Sequence, residues 1–413
     1  MITLHTTSAK VGKVRKTVLF LSCLRVEEHV AQTITLVVLT ELTDVYWNYK
    51  MSSWDRIRVL DIEASNMCNA ACPMCARSFQ GVDNPNLDLQ NLQAVALEPL
   101  RPYLNNLQRL SFCGNYGDPI LNKDLPDIID FTRDVNPHCS CIIHTNGGAR
   151  TQAWWENLAK YPNLKVRFGI DGLEETNHLY RRNVRWDLLE RNYKAFIKAG
   201  GHAEWKMIVF KHNEHEVELS RQRAEAEGFK DFMYVVTNRF TEGDKQTFYM
   251  HPDAKDQTVL EASTMEFDYE KGVASHSTRP IGVYATKKAI STSGRAYSPD
   301  KIIKQKPFSY EEATQDKQDN NISCYTQKEG IVYISANGDL YPCCHLGYPY
   351  AGQNIYDDLY WLDKESINLY NNSADNILKW IDEVERRWTQ NDCLGTCVKV
   401  CGKKAKPNLF VKA

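Results

Sequence analysis

Residues 57–75 read IRVLDIEASNMCNAACPMC and combine a predicted strand with three closely spaced cysteines. The opening segment, Ile57–Glu63, is β-rich and apolar and predicts a strand. Three cysteines, Cys68, Cys72 and Cys75, follow on what the spacing predicts to be one loop. Thiolates this close together bind either an iron–sulfur cluster or, with a distant fourth ligand, a zinc ion. The pattern therefore predicts a metal centre directly after the first strand.

Strand and helix patterns alternate from about residue 56 to residue 238. The predicted strands are Ile57–Glu63, Arg109–Cys113, Cys141–Thr145, Val166–Ile170, Trp205–Phe210 and Phe232–Val236. The predicted helices are Leu92–Leu104, Leu125–Asp134, Ala153–Lys160, Asp187–Ala199 and Val217–Ala226. Repeated strand–helix units with short connections predict an α/β fold whose parallel sheet curls into a partial (β/α)6 barrel. In such folds the chemistry lies at the carboxyl ends of the strands.

The composition narrows the class of protein and of partner. The chain has 413 residues, with 50 Lys and Arg against 52 Asp and Glu, so its charge balance gives no indication of a nucleic-acid or membrane partner. It has no run of about 18 apolar residues, so we expect no transmembrane helix. Its 13 cysteines are clustered and odd in number, which favours metal ligation in a reducing cytoplasm over disulfides.

The organisation along the chain suggests four regions. Residues 1–54 form an N-terminal extension without a functional signal, and residues 55–240 form the partial barrel. Residues 241–321 are polar and weakly periodic, as expected of a connector or lid. Residues 322–413 form a small cysteine-bearing domain that opens with a predicted hairpin over residues 330–340, turning at Asn337-Gly338.

The C-x3-C-x2-C loop after a first barrel strand strongly resembles the radical S-adenosylmethionine (radical SAM) superfamily. The resemblance implies a 4Fe-4S cluster on Cys68, Cys72 and Cys75, whose open iron chelates the amino and carboxylate groups of S-adenosylmethionine (SAM). It also implies that a one-electron donor, such as flavodoxin or ferredoxin, drives cleavage of SAM to a 5′-deoxyadenosyl radical. That radical takes a hydrogen atom from the substrate. A zinc site remains the alternative for the three cysteines.

The resemblance extends to segments at the ends of later strands. Gly117 and Asp118 stand where the family has a Gly-Gly-Glu-Pro segment that meets the SAM amino group, although Tyr116 replaces its first glycine and Asp118 its glutamate. Thr145 and Asn146 lie in a Thr-Asn-Gly segment similar to one that lines the family's SAM site. For the first of these segments, an ordinary tight turn is the alternative.

Two further segments resemble SAM contacts. Asp171 belongs to a segment similar to the family's Ser-x-Asp-Gly, with Gly169 in place of the serine. In Tyr180-Arg181-Arg182, Arg182 is the preferred partner for the SAM carboxylate, with a solvated surface arginine as the alternative. Asn213 is a candidate on the adenine side.

The C-terminal cysteines resemble the ligands of twitch and SPASM domains, which bind auxiliary iron–sulfur clusters. Cys324, Gly338 and Cys343 match the opening C-x(9–15)-G-x4-C pattern, and the hairpin brings Cys324 and Cys343 together. The full seven-cysteine SPASM set is absent, which favours a twitch-like domain with one auxiliary cluster, of the 4Fe-4S type. The expected ligands are Cys324, Cys343, Cys397 and Cys401, with Cys344 and Cys393 as alternates. Structural zinc is the alternative here too.

Three functions compete. The first is a radical SAM enzyme that abstracts hydrogen from a peptide or protein side chain, with an auxiliary cluster that accepts an electron or anchors substrate. The second is a radical dehydrogenase or cyclase of a sugar, cyclitol or nucleotide. The third is a non-catalytic iron–sulfur or zinc-binding protein, which would not cleave SAM.

Overall fold

A computed structural model describes the chain over defined ranges. These are residues 2–11, 14–23, 56–75, 77–79, 82–83, 87, 89–236, 240, 245–249, 257–265, 274–277, 280–283, 322–347, 364–389 and 392–402. The chain divides into two compact units, Met1–Arg56 and Ile57–Ala413. In the first unit, β1 (Ile2–Val11) pairs antiparallel with β2 (Val14–Cys23).

The second unit contains a large sheet, several small strand pairs and surrounding helices. Its strands are β3 (Val59–Ile62), β4 (Ser78–Phe79), β5 (Val82–Asp83), β6 (Arg109–Phe112), β7 (Ser140–Thr145), β8 (Leu164–Gly169), β9 (His202–Val209), β10 (Asp231–Val236), β11 (Lys245–Tyr249), β12 (Gln257–Glu261), β13 (Ala274–Ser277), β14 (Pro280–Val283), β15 (Ile331–Ile334) and β16 (Leu340–Tyr341). Its α-helices are α1 (Leu125–Val135), α2 (Gln152–Leu158), α3 (Asn177–Tyr180), α4 (Trp186–Lys198), α5 (Val217–Glu227), α6 (Tyr325–Glu329), α7 (Ala374–Thr389) and α8 (Gly395–Cys401). Shorter-pitched 3-10 helices cover Ala94–Asn106, Pro119–Leu121, Glu214–Glu216 and Lys364–Ile367.

The large sheet confirms the predicted α/β fold. Its strand order is β10-β9-β8-β7-β6-β3-β15-β16, and every neighbouring pair from β10 to β15 is parallel. The six predicted barrel strands all occur, in consecutive order. The predicted C-terminal hairpin also occurs, because β15 and β16 pair antiparallel. Unexpectedly, β15 also pairs in parallel with β3, so the hairpin extends the barrel sheet.

One predicted helix has a different geometry. The pattern over Leu92–Leu104 predicts an α-helix, whereas Ala94–Asn106 is a 3-10 helix with Pro99 and Pro102 inside it. Each proline lacks the N–H that an α-helical turn uses, and its ring clashes with the preceding turn. The buried side chains of this segment, including Leu97 and Leu100, still pack into the core.

The core lies between the sheet and the helices. Phe168 of β8 packs against Trp155 of α2 and Phe196 of α4, with ring centroids 5.3 and 6.1 Å apart. Trp205 of β9 joins the same layer through Phe229, at 5.3 Å. Because side chains alternate along a strand, the polar residues Lys165 and Arg167 of β8 and Glu204 of β9 lie on the opposite face, which we call the inner face of the sheet.

Two predictions concern parts of the chain that the structure describes only in part. Within residues 241–321, the described elements are the antiparallel pairs β11–β12 and β13–β14, and most of this predicted connector or lid lies outside the described residues. Among the helices that are described, none combines the length and apolar character needed to cross a membrane.

Candidate metal and S-adenosylmethionine site

The cysteine loop begins at the carboxyl end of β3, as the sequence predicts. The Cys75 N–H donates to the Cys72 carbonyl at 3.0 Å, which closes a turn around Pro73. The Ala71 N–H donates to the Arg182 carbonyl at 2.9 Å and ties the loop to the segment after α3. Cys72 is buried, Cys68 and Cys75 are half-buried, and all three are free of disulfides.

Several N–H groups point at the sulfur atoms of this loop. Cys68 Sγ accepts from the Ala70 N–H at 3.4 Å and from Asn146 Nδ2 at 3.7 Å. Cys72 Sγ accepts from Arg181 Nη1 at 3.8 Å. Donors of this kind stabilise metal-bound thiolates and adjust the properties of the metal centre.

Without a positive group, these thiols resist ionisation. Burial raises the pKa of Cys68 well above its usual range, and the Asp118 carboxylate and the other two thiols raise it further. Burial also raises the pKa of Cys72 to about 12, although the Arg181 guanidinium opposes this effect. Thiolates so close together need a bound cationic centre, so the donor set fits an iron–sulfur cluster chemically.

The spacing of the sulfurs does not match a closed site for one small ion. Among the described residues, one group of three potential ligands has all its ligand atoms within 4.8 Å, namely His202, Glu204 and Asp231, and the cysteine trio does not form such a group. Tetrahedral zinc with bonds of about 2.3 Å would hold its sulfurs about 3.8 Å apart. The loop is therefore more open than a preformed zinc site.

The His202, Glu204 and Asp231 group belongs to an ion-pair network on the inner face of the sheet. Glu204 pairs with Arg167 at 2.8 Å and with Lys165 at 3.3 Å. Since two cations already surround this carboxylate, the group does not favour a metal ion.

The inner face is polar next to the cysteine loop as well. His144 lies beside Arg167 across β7 and β8, and Lys206 follows on β9. Burial lowers the pKa of His144 well below its usual range, and Arg167 and Lys206 lower it further, so the imidazole is neutral at physiological pH.

A buried carboxylate that sequence reasoning missed holds the segment containing Gly117 and Asp118. Glu63, directly after β3, accepts the backbone N–H groups of Asn115, Tyr116 and Gly117 at 3.0–3.1 Å. Burial raises the pKa of Glu63 to about 8, although these three hydrogen bonds favour the ionised form. Glu63 thereby joins the end of β3 to the loop after β6.

Gly117 and Asp118 lie at the base of the cysteine loop. A Cβ atom at Gly117 would overlap the Ser65 carbonyl, so only glycine allows this close backbone approach. The Asp118 carboxylate is buried and accepts from the Thr145 hydroxyl at 3.0 Å and from the Asn146 N–H at 2.7 Å. Asp118 therefore joins the loops after β6 and β7.

Thr145 and Asn146 connect this junction to the cysteines. The Thr145 hydroxyl accepts from the Gly147 N–H at 3.0 Å. Asn146 Nδ2 donates to Asn69 Oδ1 at 2.9 Å and to the sulfur of Cys68. Thus the structure brings Gly117, Asp118, Thr145 and Asn146 together beside the loop.

Asp171 organises the other side of the site. It is fully buried, and its Oδ1 accepts from the Ile208 N–H at 2.6 Å. Its Oδ2 accepts from Arg181 Nε, also at 2.6 Å. Asn213 is fully buried too and donates to the Asp171 and Ile208 carbonyls at 2.8 and 2.9 Å. Both Asp171 and Asn213 thus have protein partners that fix the strand ends.

Arg181, which the sequence analysis did not single out, directs its guanidinium toward Cys72. The predicted contact of Arg182 with the SAM carboxylate stays a prediction. The described contact of Arg182 with the loop is through its backbone carbonyl. The signal that could have identified Arg181 is Gly169: a Cβ there would lie 2.5 Å from Arg181 Nη2. The glycine that departs from the family's serine therefore leaves room for this arginine.

Three of the four predicted auxiliary ligands interact. The Cys324 and Cys401 thiols lie close enough to affect each other's ionisation, and Cys401, together with Thr326 and backbone donors, lowers the pKa of Cys324 although burial opposes this effect. Burial and the charge of Cys324 raise the pKa of Cys343 to about 12. The Ser323 N–H donates to the Cys401 carbonyl at 2.9 Å. Cys324 directly precedes α6, Cys343 follows β16 and Cys401 ends α8, and their three thiols form a cluster.

The other three C-terminal cysteines, Cys397, Cys393 and Cys344, lie in different surroundings. Cys397 is buried on α8, one turn before Cys401. Cys393 is buried and directs its sulfur toward the Trp388 carbonyl, 4.0 Å away. Burial raises the pKa of Cys344 well above its usual range, and the charges of Cys343 and Asp61 raise it further.

Comparison with known proteins gives one family match. Residues 62–223 match the family model described as the radical SAM superfamily, a family that implies a 4Fe-4S cluster and SAM. No curated protein matches the sequence.

The chain is similar to several solved structures. One is SuiB from Streptococcus suis bound to S-adenosylmethionine, with 14% identity and a TM-score of 0.44 over 74% of this chain and 65% of that one. Another is native anSMEcpe with bound AdoMet and Cp18Cys peptide, with 13% identity and a TM-score of 0.46 over 85% and 91% of the two chains. A third is BtrN in complex with AdoMet and 2-DOIA, with 12% identity and a TM-score of 0.34 over 83% and 91%. The chain thus spans slightly less than two thirds of the length of SuiB.

Proposed function

We propose that the protein is a cytoplasmic radical SAM enzyme that removes a hydrogen atom from a peptide or protein side chain. The observation that carries the proposal is the set of N–H donors on the sulfurs of Cys68 and Cys72, in a loop at the carboxyl end of the first barrel strand. Bound there, a 4Fe-4S cluster and SAM would supply the one-electron cleavage that yields a 5′-deoxyadenosyl radical.

Separate sets of residues would ligate the cluster and form the SAM pocket. Cys68, Cys72 and Cys75 would ligate the cluster. Gly117, Asp118, Thr145, Asn146, Asp171 and Arg182 would form or support the SAM pocket. Since the carboxylates of Asp118 and Asp171 are occupied by protein donors, we assign them to support rather than to direct contact with SAM.

The C-terminal thiols would bind an auxiliary iron–sulfur cluster. The proximity of Cys324 to Cys401 and the electrostatic interaction of both with Cys343 support three of the ligands, and Cys397 is proposed as the fourth. An auxiliary cluster in a domain whose hairpin joins the barrel sheet could accept the electron of a substrate radical. This supports a redox reaction on a peptide, with flavodoxin or ferredoxin as the electron donor.

Anaerobic reconstitution tests the two metal centres. We expect roughly eight irons per chain and dithionite-dependent release of 5′-deoxyadenosine from SAM. Replacing Cys68, Cys72 and Cys75 with alanine should abolish this release and leave about half of the iron. The matched control replaces Cys139 and Cys141, two buried thiols outside both groups, and should retain both properties. If the triple variant still releases 5′-deoxyadenosine, the loop does not bind the cluster that cleaves SAM.

A deuterium-transfer screen tests the substrate class. Deuterated peptides are compared with deuterated sugars, cyclitols and nucleotides, and deuterium is measured in the 5′-deoxyadenosine released. Transfer from peptides alone is expected, whereas transfer only from a sugar, cyclitol or nucleotide would contradict the peptide assignment.

A further inference from the structure

The Arg181 guanidinium lies between Asp171 and Cys72 and donates to both. Its Nε donates to Asp171 at 2.6 Å, and its Nη1 donates to the sulfur of Cys72 at 3.8 Å. Its Nη2 fills the space that a side chain at residue 169 would take. The Arg181 side chain is only 20% exposed, so water screens its charge weakly.

Three features determine the position and the charge of the Arg181 guanidinium. Asp171 is fully buried and is itself held by the Ile208 N–H, so it anchors the guanidinium from behind. Gly169 permits the close approach at the end of β8. Arg181 also remains a cation at every physiological pH, because the guanidinium group does not lose its proton in proteins.

We propose that Arg181 is a positioning residue that raises the reduction potential of the cluster on Cys68, Cys72 and Cys75 by donating to the Cys72 sulfur. This inference rests on the proposed function. Reduction adds one electron from the donor protein, and no proton moves. A cationic donor on a coordinating sulfur stabilises the more negative, reduced state more than the oxidised state. Arg181 therefore makes the cluster easier to reduce.

The experiment is a redox titration followed by electron paramagnetic resonance on the anaerobically reconstituted full chain without SAM. The signal to follow is the one that changes when SAM is added to a parallel sample, which separates it from the auxiliary cluster. In Arg181→Gln, we expect the ratio of reduced to oxidised cluster at a fixed potential to fall about tenfold, or about 59 mV for a one-electron couple.

Matched variants separate this role from a general structural role. Arg185→Gln removes an exposed cation four residues further along the chain, whose partner is Asp187, so its potential should equal that of the wild type. Gly169→Ala keeps Arg181 but displaces its guanidinium, and should lower the potential in the same direction. Arg181→Lys restores the charge without the fork-shaped group and should give an intermediate value.

The outcomes are distinguishable. If Arg181→Gln retains its iron and has the wild-type potential, the inference is wrong while the proposed function stands. If Arg181→Gln does not assemble its cluster, Gly169→Ala decides: a lowered potential supports the inference and an unchanged one overturns it. If the wild type itself forms no cluster that responds to SAM, the proposed function fails first and the inference fails with it.

Discussion

The buried pair between Asp171 and Arg181 allows a quantitative test of how the site is supported. Asp171→Asn preserves the shape of the side chain and keeps one oxygen, which can still accept from the Ile208 N–H. The amide nitrogen, however, would face Arg181 Nε, so two donors would meet where an ion pair now lies 2.6 Å apart. The guanidinium would lose its counter-charge.

The expected loss of stability follows from burial. Removing one partner of a buried ion pair costs about 3–5 kcal/mol, because the other charge stays buried and uncompensated. Asp171 is fully buried but Arg181 is 20% exposed, so water can partly solvate the guanidinium. We therefore expect the free energy of unfolding to fall by about 3 kcal/mol, near the lower end of that range.

Urea unfolding in the absence of SAM measures this loss. Tryptophan fluorescence follows the unfolding, because two of the chain's nine tryptophans, Trp155 and Trp205, are fully buried in the core around β8 and β9 and become exposed when it unfolds. The matched control is Glu190→Gln, which removes a carboxylate from partly exposed pairs with Lys194 and Arg223 and should cost only about 1 kcal/mol. If Asp171→Asn is no less stable than Glu190→Gln, Asp171 is not the structural anchor described here.

Two further predictions concern the loop after β6. Burial raises the pKa of Glu63 to about 8 from an ordinary value of 4.5. Between these pH values the folded state therefore binds a proton that the unfolded state lacks. The contribution of Glu63 to the free energy of unfolding should then decline as pH rises, by at most about 1.4 kcal/mol per pH unit. Urea unfolding from pH 5 to pH 8 should therefore show a steeper decline in the wild type than in Glu63→Gln, and parallel curves would contradict the raised pKa. Gly117→Ala forces a Cβ into the Ser65 carbonyl and should lower stability by at least about 1–3 kcal/mol. Gly200→Ala, where the backbone φ is +94° but the surrounding space is open, isolates backbone strain and should cost only about 1 kcal/mol, so equal losses in the two variants would refute the clash.

Much of the barrel could be predicted because the residue patterns that specify its strands and helices are local in the sequence. Apolar β-rich runs such as Arg109–Phe112 and amphipathic helices such as Trp186–Lys198 each reveal their type within a few residues. Strand ends then place Gly117, Asp118, Thr145 and Asn146 on one edge of the sheet, as the structure has them.

The roles of Arg181 and Glu63 could not be predicted, because they depend on the direction of a side chain and on contacts between residues that are distant in sequence. Arg181 and Arg182 are adjacent and chemically equal, and only the geometry after α3 and the open space at Gly169 decide which guanidinium reaches Cys72. Glu63 looks like an ordinary polar end of a strand, because its three partners lie about 50 residues later.

The pairing of β15 with β3 has a consequence for how this chain acquires its structure. The two strands lie about 270 residues apart in sequence, and in the parallel sheet β15 covers the edge of β3 that β6 leaves open. During synthesis on the ribosome, the first barrel strand therefore has unpaired N–H and C=O groups on one side until the roughly 270 residues up to β15 have been added. A nascent or truncated barrel is thus exposed to intermolecular strand pairing, and the arrival of the C-terminal hairpin ends that risk.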